Sequence, residues 1–272
     1  MPEENSKRDE DMDQAILRQH LDVAIAAARA AGSQAIAAEM SKHFHVTTKH
    51  TNDFVTDADK ENEKLIIGMI RKEFPDESFF GEESGEADAS GTGRWVIDPI
   101  DGTTNFFRGV PDFVISIAWE IEKYHPLVGV VYVPSQKELF YAAEGMGAFC
   151  NGVPIHVSRV SDPKFALMVC VPPHRHHECA DAYFAAERRL FNGCSDIRSF
   201  GSAALECAYI AAGRLDGYYE LLLGWYDIAA GVAILREAGG KADCIGGFSD
   251  TRCDVVASNG LIHDWIHQQV DG

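Results

Sequence analysis

The chain has 272 residues, 46% apolar and 24% charged, ordinary proportions for a globular protein long enough to bury a core without disulfides or a structural metal. Its 24 basic and 42 acidic side chains leave a formal charge of −18, which argues against sequence-independent nucleic-acid binding but admits a small phosphorylated molecule wherever metal ions or helix N-termini reverse the sign locally. The seven cysteines are scattered with no CxxC, no segment reads as membrane-spanning, and the acidic N-terminus is unlike a signal peptide, so a cytoplasmic setting is expected.

Residues 1–10 read as a disordered tail. Helical periodicity then runs from Asp11 to about Met40 through Ile16, Leu17, Leu21 and an alanine-rich stretch broken by Gly32, and again from about Ala58 to Phe74, where Pro75 ends it. The period changes at Ser78. The segments Ser78–Gly81, Arg94–Asp98, Phe113–Glu122, Leu127–Pro134 and Glu138–Ala143 read as strands, the last three as an antiparallel meander. Beyond a turn at Asn151-Gly152, strands at Phe165–Val171, Ile197–Phe200, Leu215–Leu221 and near Asp254–Ala257 alternate with helices at Glu178–Phe191, Ser202–Ala212, Asp227–Ala238 and from Leu261 onward. That alternation predicts layered α/β packing, with α+β character in the first half. One domain is expected, with approximate subdomains at 11–150 and 151–272 sharing a core.

The chemistry concentrates in Gly81-Glu82-Glu83-Ser84 and in Asp98-Pro99-Ile100-Asp101-Gly102-Thr103-Thr104-Asn105. An apolar strand delivers Asp98 at its end, and Pro99 and Gly102 are expected to form a turn that brings Asp101 beside it. Two carboxylates forced together repel unless a cation lies between them, and hard oxygen donors select Mg²⁺, Mn²⁺ or Ca²⁺ over Zn²⁺. The backbone N–H groups that follow, at a helix start or in a nest, suit a phosphate. The bland alternative is that each Asp merely caps a turn or a helix.

These strings resemble the inositol monophosphatase family, whose members are Mg²⁺-dependent, lithium-sensitive phosphatases. Trp225-Tyr226-Asp227-Ile228-Ala229-Ala230-Gly231 resembles its second signature, although Tyr226 stands between the Trp and the Asp. Asp53-Phe54-Val55-Thr56-Asp57-Ala58-Asp59 resembles a third element. The resemblance implies a layered αβαβα sandwich, commonly a homodimer, with two or three Mg²⁺ per active site and Mn²⁺ as a substitute. It further implies that Glu82, Asp98, the Ile100 carbonyl, Asp101 and Asp227 bind metal. Asp59 and Thr103 would orient the attacking water, alongside Glu82. Gly102, Thr103, Ser202, Ala203 and Glu220 would contact substrate.

The continuation Asp-Gly-Thr-Thr-Asn resembles the inositol and sugar-phosphate branch, so myo-inositol monophosphate is the expected substrate. The alternatives are fructose 1,6-bisphosphate, histidinol phosphate, a nucleotide phosphate, or a metal-loaded binding or regulatory protein with little turnover. Other residues carry plainer expectations. Asp227 and Asp59 could cap their helices, Glu83 either faces outward or receives hydrogen bonds that support Glu82, Lys49 and Arg198 lie at the surface, and Pro172 to Cys179 form a solvated loop.

Overall fold

The structure is a computed structural model that describes the backbone of residues 2–42, 44–50, 53–249 and 252–271, with side chains described over those ranges except at 2–13, 49, 50, 53 and 246–249. In the first half the elements are α1 (Pro2–Ser41), β1 (Val46–His50), β2 (Asp53–Thr56), α2 (Asp57–Glu73), β3 (Ser78–Gly81), β4 (Gly85–Ala87), β5 (Arg94–Asp101), α3 (Thr103–Arg108), β6 (Val114–Glu122), β7 (His125–Val133), β8 (Glu138–Ala143), β9 (Gly147–Cys150) and β10 (Val153–Pro154). They are followed by β11 (Leu167–Val171), α4 (Ala180–Gly193), β12 (Asp196–Arg198), α5 (Ala203–Ala211), β13 (Gly217–Gly224), α6 (Trp225–Glu237), β14 (Lys241–Ser249), β15 (Arg252–Ser258) and α7 (His263–Val270). Among the described residues no helix is long and apolar enough to cross a membrane.

The strands form an eight-stranded sheet in the order β10-β9-β8-β7-β6-β5-β3-β4, a five-stranded sheet in the order β12-β11-β13-β15-β14, and the separate hairpin β1-β2. Side-chain alternation along the strands builds the layers. On β5 and β6, Trp95, Ile97, Ile115 and Ile117 pack under α1 and α2, while Val96, Val114 and Ala118 face the opposite side, against α5 and α6. The five-stranded sheet does the same. Val169, Tyr218 and Val255 point to α5 and α6, and Met168, Cys170, Tyr219 and Val256 pack on α4 and α7. The order is therefore helix, sheet, helix, sheet, helix, the αβαβα sandwich that the motifs implied.

Position in the stack explains helix composition. α1 covers one sheet face and buries a stripe, Ala24, Ala27, Ala28, Ala31 and Ala35, at helical spacing. α5 lies between two sheets and is buried at every position. Within this middle layer, a Cβ on Gly231 would lie 2.5 Å from Cys207 Cβ and 3.4 Å from the Ala204 carbonyl, so the close approach of α5 and α6 requires glycine there.

Some elements differ from the sequence expectation. The segment 1–10, expected as a disordered tail, is helical from Pro2 onward. Proline is well placed at a first helical position, and nothing between Glu3 and Ala31 breaks a helix. The β1-β2 hairpin escapes a hydrophobic-period reading because β1 is exposed at Val46, Thr47 and Thr48 and the apolar stretch of the four-residue β2 is too short to show a period. Strand β14 is diluted by paired glycines, and β4 is a three-residue edge. Replacing Gly231 with Ala is expected to destabilise the protein by about 1–3 kcal/mol through overpacking, read as a lower urea midpoint at unchanged m-value.

Candidate active site

Asp98 and Asp101 lie three residues apart, a spacing that in a regular strand places side chains on opposite faces. Here they share a face, because β5 carries a bulge rather than the expected turn. Asp98 pairs with Ser116 and Asp101 with Val114, three steps on β5 against two on β6. Pro99 donates no ladder hydrogen bond, which suits the irregular position. Asp98 Oδ1 accepts the Ile100 N–H at 3.0 Å.

Asp227 comes from the start of α6, directly after β13 of the five-stranded sheet. β13 is bulged in the same way between Glu220 and Leu223 where it pairs with β15, and Leu222 there has φ +59°, an uncommon left-handed conformation for a branched residue. The chain then enters α6. Asp227 sits at the third helical position rather than at the N-cap, and its Oδ2 accepts the Gly224 N–H at 2.7 Å. Trp225, two residues before it, is buried and donates Nε1 to Glu120 Oε2 at 3.0 Å. Glu120 also takes the Arg94 guanidinium, so this network fastens the start of α6 to β5 and β6. The Tyr226 ring packs on Phe80.

Asp98, Asp101 and Asp227 are all buried, and each offers an oxygen within 4.8 Å of the others'. Burial is the main cause raising the Asp98 carboxyl well above its ordinary range, and the negative charges of Glu82, Asp101, Asp227 and Asp59 push the same way. Asp101 is pushed up to about 7 by burial and by Asp227, even though it accepts the Ser202 hydroxyl at 2.7 Å and the Ala204 N–H at 2.8 Å. Such a group, acidic, oxygen-only and mutually repulsive, fits a hard divalent cation.

A second carboxylate group adjoins the first. Asp59, Glu82 and Glu83 place oxygens within 4.8 Å of one another. Asp59 is the third helical residue of α2, and its Oδ2 accepts the Thr56 N–H at 2.8 Å, so it caps the helix as expected. Its Oδ1 accepts from Thr103 Oγ1 at 3.1 Å, and that hydroxyl also lies 3.1 Å from the Ile100 carbonyl. Desolvation raises Asp59 to about 6. The Glu83 N–H is held by Glu63 Oε2 at 3.0 Å, a part-buried contact from α2 whose partner the sequence did not point to.

Above these groups opens a cleft of about 500 Å³ lined by Asp101, Gly102, Thr103, Ser202, Ala203, Glu220 and Asp227. Gly102 starts α3 at φ +92°, and a Cβ there would sit 3.1 Å from the Asp112 carbonyl and 3.2 Å from that of Gly201. Its backbone thus needs glycine on both conformational and steric grounds. The Phe200 and Gly201 N–H groups both donate to Glu206 Oε1, at 2.8 and 3.2 Å, and Asn105 Nδ2 donates to the Phe200 carbonyl at 2.7 Å, fixing the approach to α5. Glu220 accepts from the Tyr218 hydroxyl.

The segment expected as a solvated loop is part of this wall. Pro172, Pro173, His174, Arg175 and His176 line the cleft together with Arg252. Arg175 and Arg252 thus bring positive charge to the edge of an otherwise acidic cavity, a placement that only the folded chain reveals. Arg198 is exposed and pairs with Asp196, as expected of a surface residue, whereas the Lys49 side chain lies outside the described residues.

The fold and this site define a family, and comparison with known proteins gives the same one. The profile of the inositol monophosphatase family matches residues 16–271. The Escherichia coli (strain K12) Nus factor SuhB is 43% identical over 243 residues, covering 88% of this chain and 91% of that protein. Its Pasteurella multocida counterpart is 44% identical over 232 residues, covering 84% and 86%. Among solved structures, the extragenic suppressor protein suhB of Bartonella henselae superposes with a TM-score of 0.87 at 34% identity, covering 93% of this chain and 98% of that one. The inositol monophosphatase of Anabaena (Nostoc) sp. PCC 7120 gives 0.82 at 35% identity, covering 94% and 96%. The chain belongs to the inositol monophosphatase family, and this membership supports a metal-dependent phosphatase.

Divalent cations should relieve the repulsion among the buried carboxylates. Mg²⁺ at about a hundred times its Kd is worth about 2.7 kcal/mol, so the melting temperature should rise by roughly 5–10 °C over that in chelator. Asp98→Asn keeps the acceptor for Ile100 N–H and removes one charge. In chelator it should melt above the wild type, and it should lose most of the Mg²⁺ shift, as scanning calorimetry would show.

Proposed function

We propose that the protein hydrolyses a small phosphate monoester, with myo-inositol monophosphate as the preferred substrate, in the cleft between the two sheets, using Mg²⁺ or, in its place, Mn²⁺. The observation that carries this reading is the convergence of Asp98, Asp101 and Asp227, delivered by a bulged strand and a helix start from different layers. Glu82 and the Ile100 carbonyl complete the donor set. When bound, divalent cations there would lower the pKa of a water and offset the charge of the ester.

The residues of the chain supply position and charge. Thr103 Oγ1 and Asp59 Oδ1, 3.1 Å apart, orient the water that attacks phosphorus, with Thr103 directing its own proton toward Asp59. Backbone N–H groups at Gly102 and Thr103 receive the phosphate oxygens, and Ala203, whose N–H is directed at Asp101, lines the cleft beside them. Ser202 supports them from behind, because its hydroxyl is committed to Asp101. Glu220, oriented by Tyr218, accepts a hydroxyl of the leaving alcohol, which favours a polyol. Arg175 and Arg252 temper the negative field along the entrance.

A second reading is favoured by one observation: the relatives at 43% and 44% identity are named Nus factors, so a role as a binding or regulatory protein accompanies or replaces turnover. The intact donor set favours turnover. Phosphate release from a panel of monoesters, ranked by kcat/KM with Mg²⁺ and in chelator, separates the two. Inositol monophosphate should rank first, with release abolished by chelation and inhibited by lithium. Asp98→Asn should lower kcat by at least about a thousandfold while its circular dichroism spectrum stays native. No release from any monoester would favour the binding protein.

A further inference from the structure

Away from the cleft, α7 packs on the outer sheet beside β14, where three side chains converge. His263 and His267 are four residues apart, on one face of α7. Both direct Nε2 at a single atom, Asp243 Oδ2 on β14, from 2.9 and 3.3 Å. The three ligand atoms lie within 4.8 Å of one another, and none of these residues lines the catalytic cleft.

The surroundings of the His263 ring match those of a metal ligand. His263 Nδ1 is 2.8 Å from Ser258 Oγ, in a buried contact, and His267 Nδ1 faces Asp271 Oδ2 at 3.8 Å. The Ser258 contact fixes the His263 ring and presents its Nε2, the usual outer-shell arrangement around metal-bound histidine, while the Asp271 carboxylate lies on the far side of the His267 ring beyond hydrogen-bond distance. The site is also graded in exposure. The His263 side chain is 4% exposed, that of His267 27% and that of Asp243 59%, which gives a rigid inner ligand and an open side for entry and for water.

We propose that Asp243, His263 and His267 form a binding site for a transition-metal dication of the Zn²⁺ class, distinct from the carboxylate site, which ties α7 to the edge of the outer sheet. Two imidazole nitrogens, borderline donors, tip a site that also holds one carboxylate oxygen toward Zn²⁺ over Mg²⁺, the opposite choice from the all-oxygen cleft. Tetrahedral coordination needs ligand atoms about 3.4 Å apart, so side-chain adjustments suffice. Water supplies the fourth position.

The test titrates Zn²⁺ into the whole protein held in millimolar Mg²⁺, with a chromophoric chelator as competitor. His267→Ala and Asp243→Asn, both at partly exposed positions, are compared with the wild type. Asp98→Asn serves as the control in the cleft. The wild type and Asp98→Asn should each retain one Zn²⁺ equivalent that His267→Ala and Asp243→Asn lose or bind at least about tenfold more weakly. The Cys244 and Cys253 thiols are unchanged in every variant, so any Zn²⁺ they take cancels in the comparison. Zn²⁺ should raise the melting temperature of the wild type by more than that of His267→Ala. Equal stoichiometry and affinity in the wild type and His267→Ala, or uptake that disappears in Asp98→Asn, would overturn the site.

Discussion

Carboxylates that repel one another are held together in a buried place, and much of the local structure is organised around that constraint. Asp98, Asp101 and Asp227 are removed from water yet adjoin one another, an arrangement that raises the energy of their charged forms. The fold answers with fixed dipoles. Asp101 takes an N–H and a hydroxyl at the start of α5, Asp227 takes an N–H at the start of α6, and Asp59 takes an N–H at the start of α2. Each contact lowers the cost of one charge without neutralising the group. The residual negative potential is what would draw in a divalent cation.

The layering explains how such a site can be rigid. α5 and α6 lie between two sheets, so their N-termini cannot shift without disturbing packing on both faces. The Arg94–Glu120–Trp225 network adds a polar tie between the first sheet and the start of α6. Glu206 on α5 does the same for the segment before that helix by receiving two successive N–H groups. Binding and positioning residues thus rest on elements whose places are set by the core.

Much of this was legible in the sequence, and what was missed has physical reasons. The strands of the meander announced themselves because both of their faces are buried, which gives long apolar runs. The acidic motifs pointed to one another because few plain structural roles require so many carboxylates beside glycine and proline. The β1-β2 hairpin and β14 were silent because exposed or glycine-diluted strands carry little hydrophobic period. Distant partners were also silent. Glu63 reaches Glu83, Glu206 reaches Phe200 and Gly201, and the segment from Pro172 to His176 reaches the cleft, only because the chain folds back on itself. Nor does local pattern reveal that His263 and His267 face an aspartate from another strand.

The irregular pairing of β5 has a consequence for anyone wishing to transplant this chemistry. One surplus residue reverses which side of the sheet the downstream carboxylate faces. The tetrapeptide Asp-Pro-Ile-Asp would therefore be inert if grafted onto an orderly strand, since its two acids would diverge. A designer must carry over the neighbouring strand with its offset register, making the smallest portable unit a pair of strands rather than a string of letters.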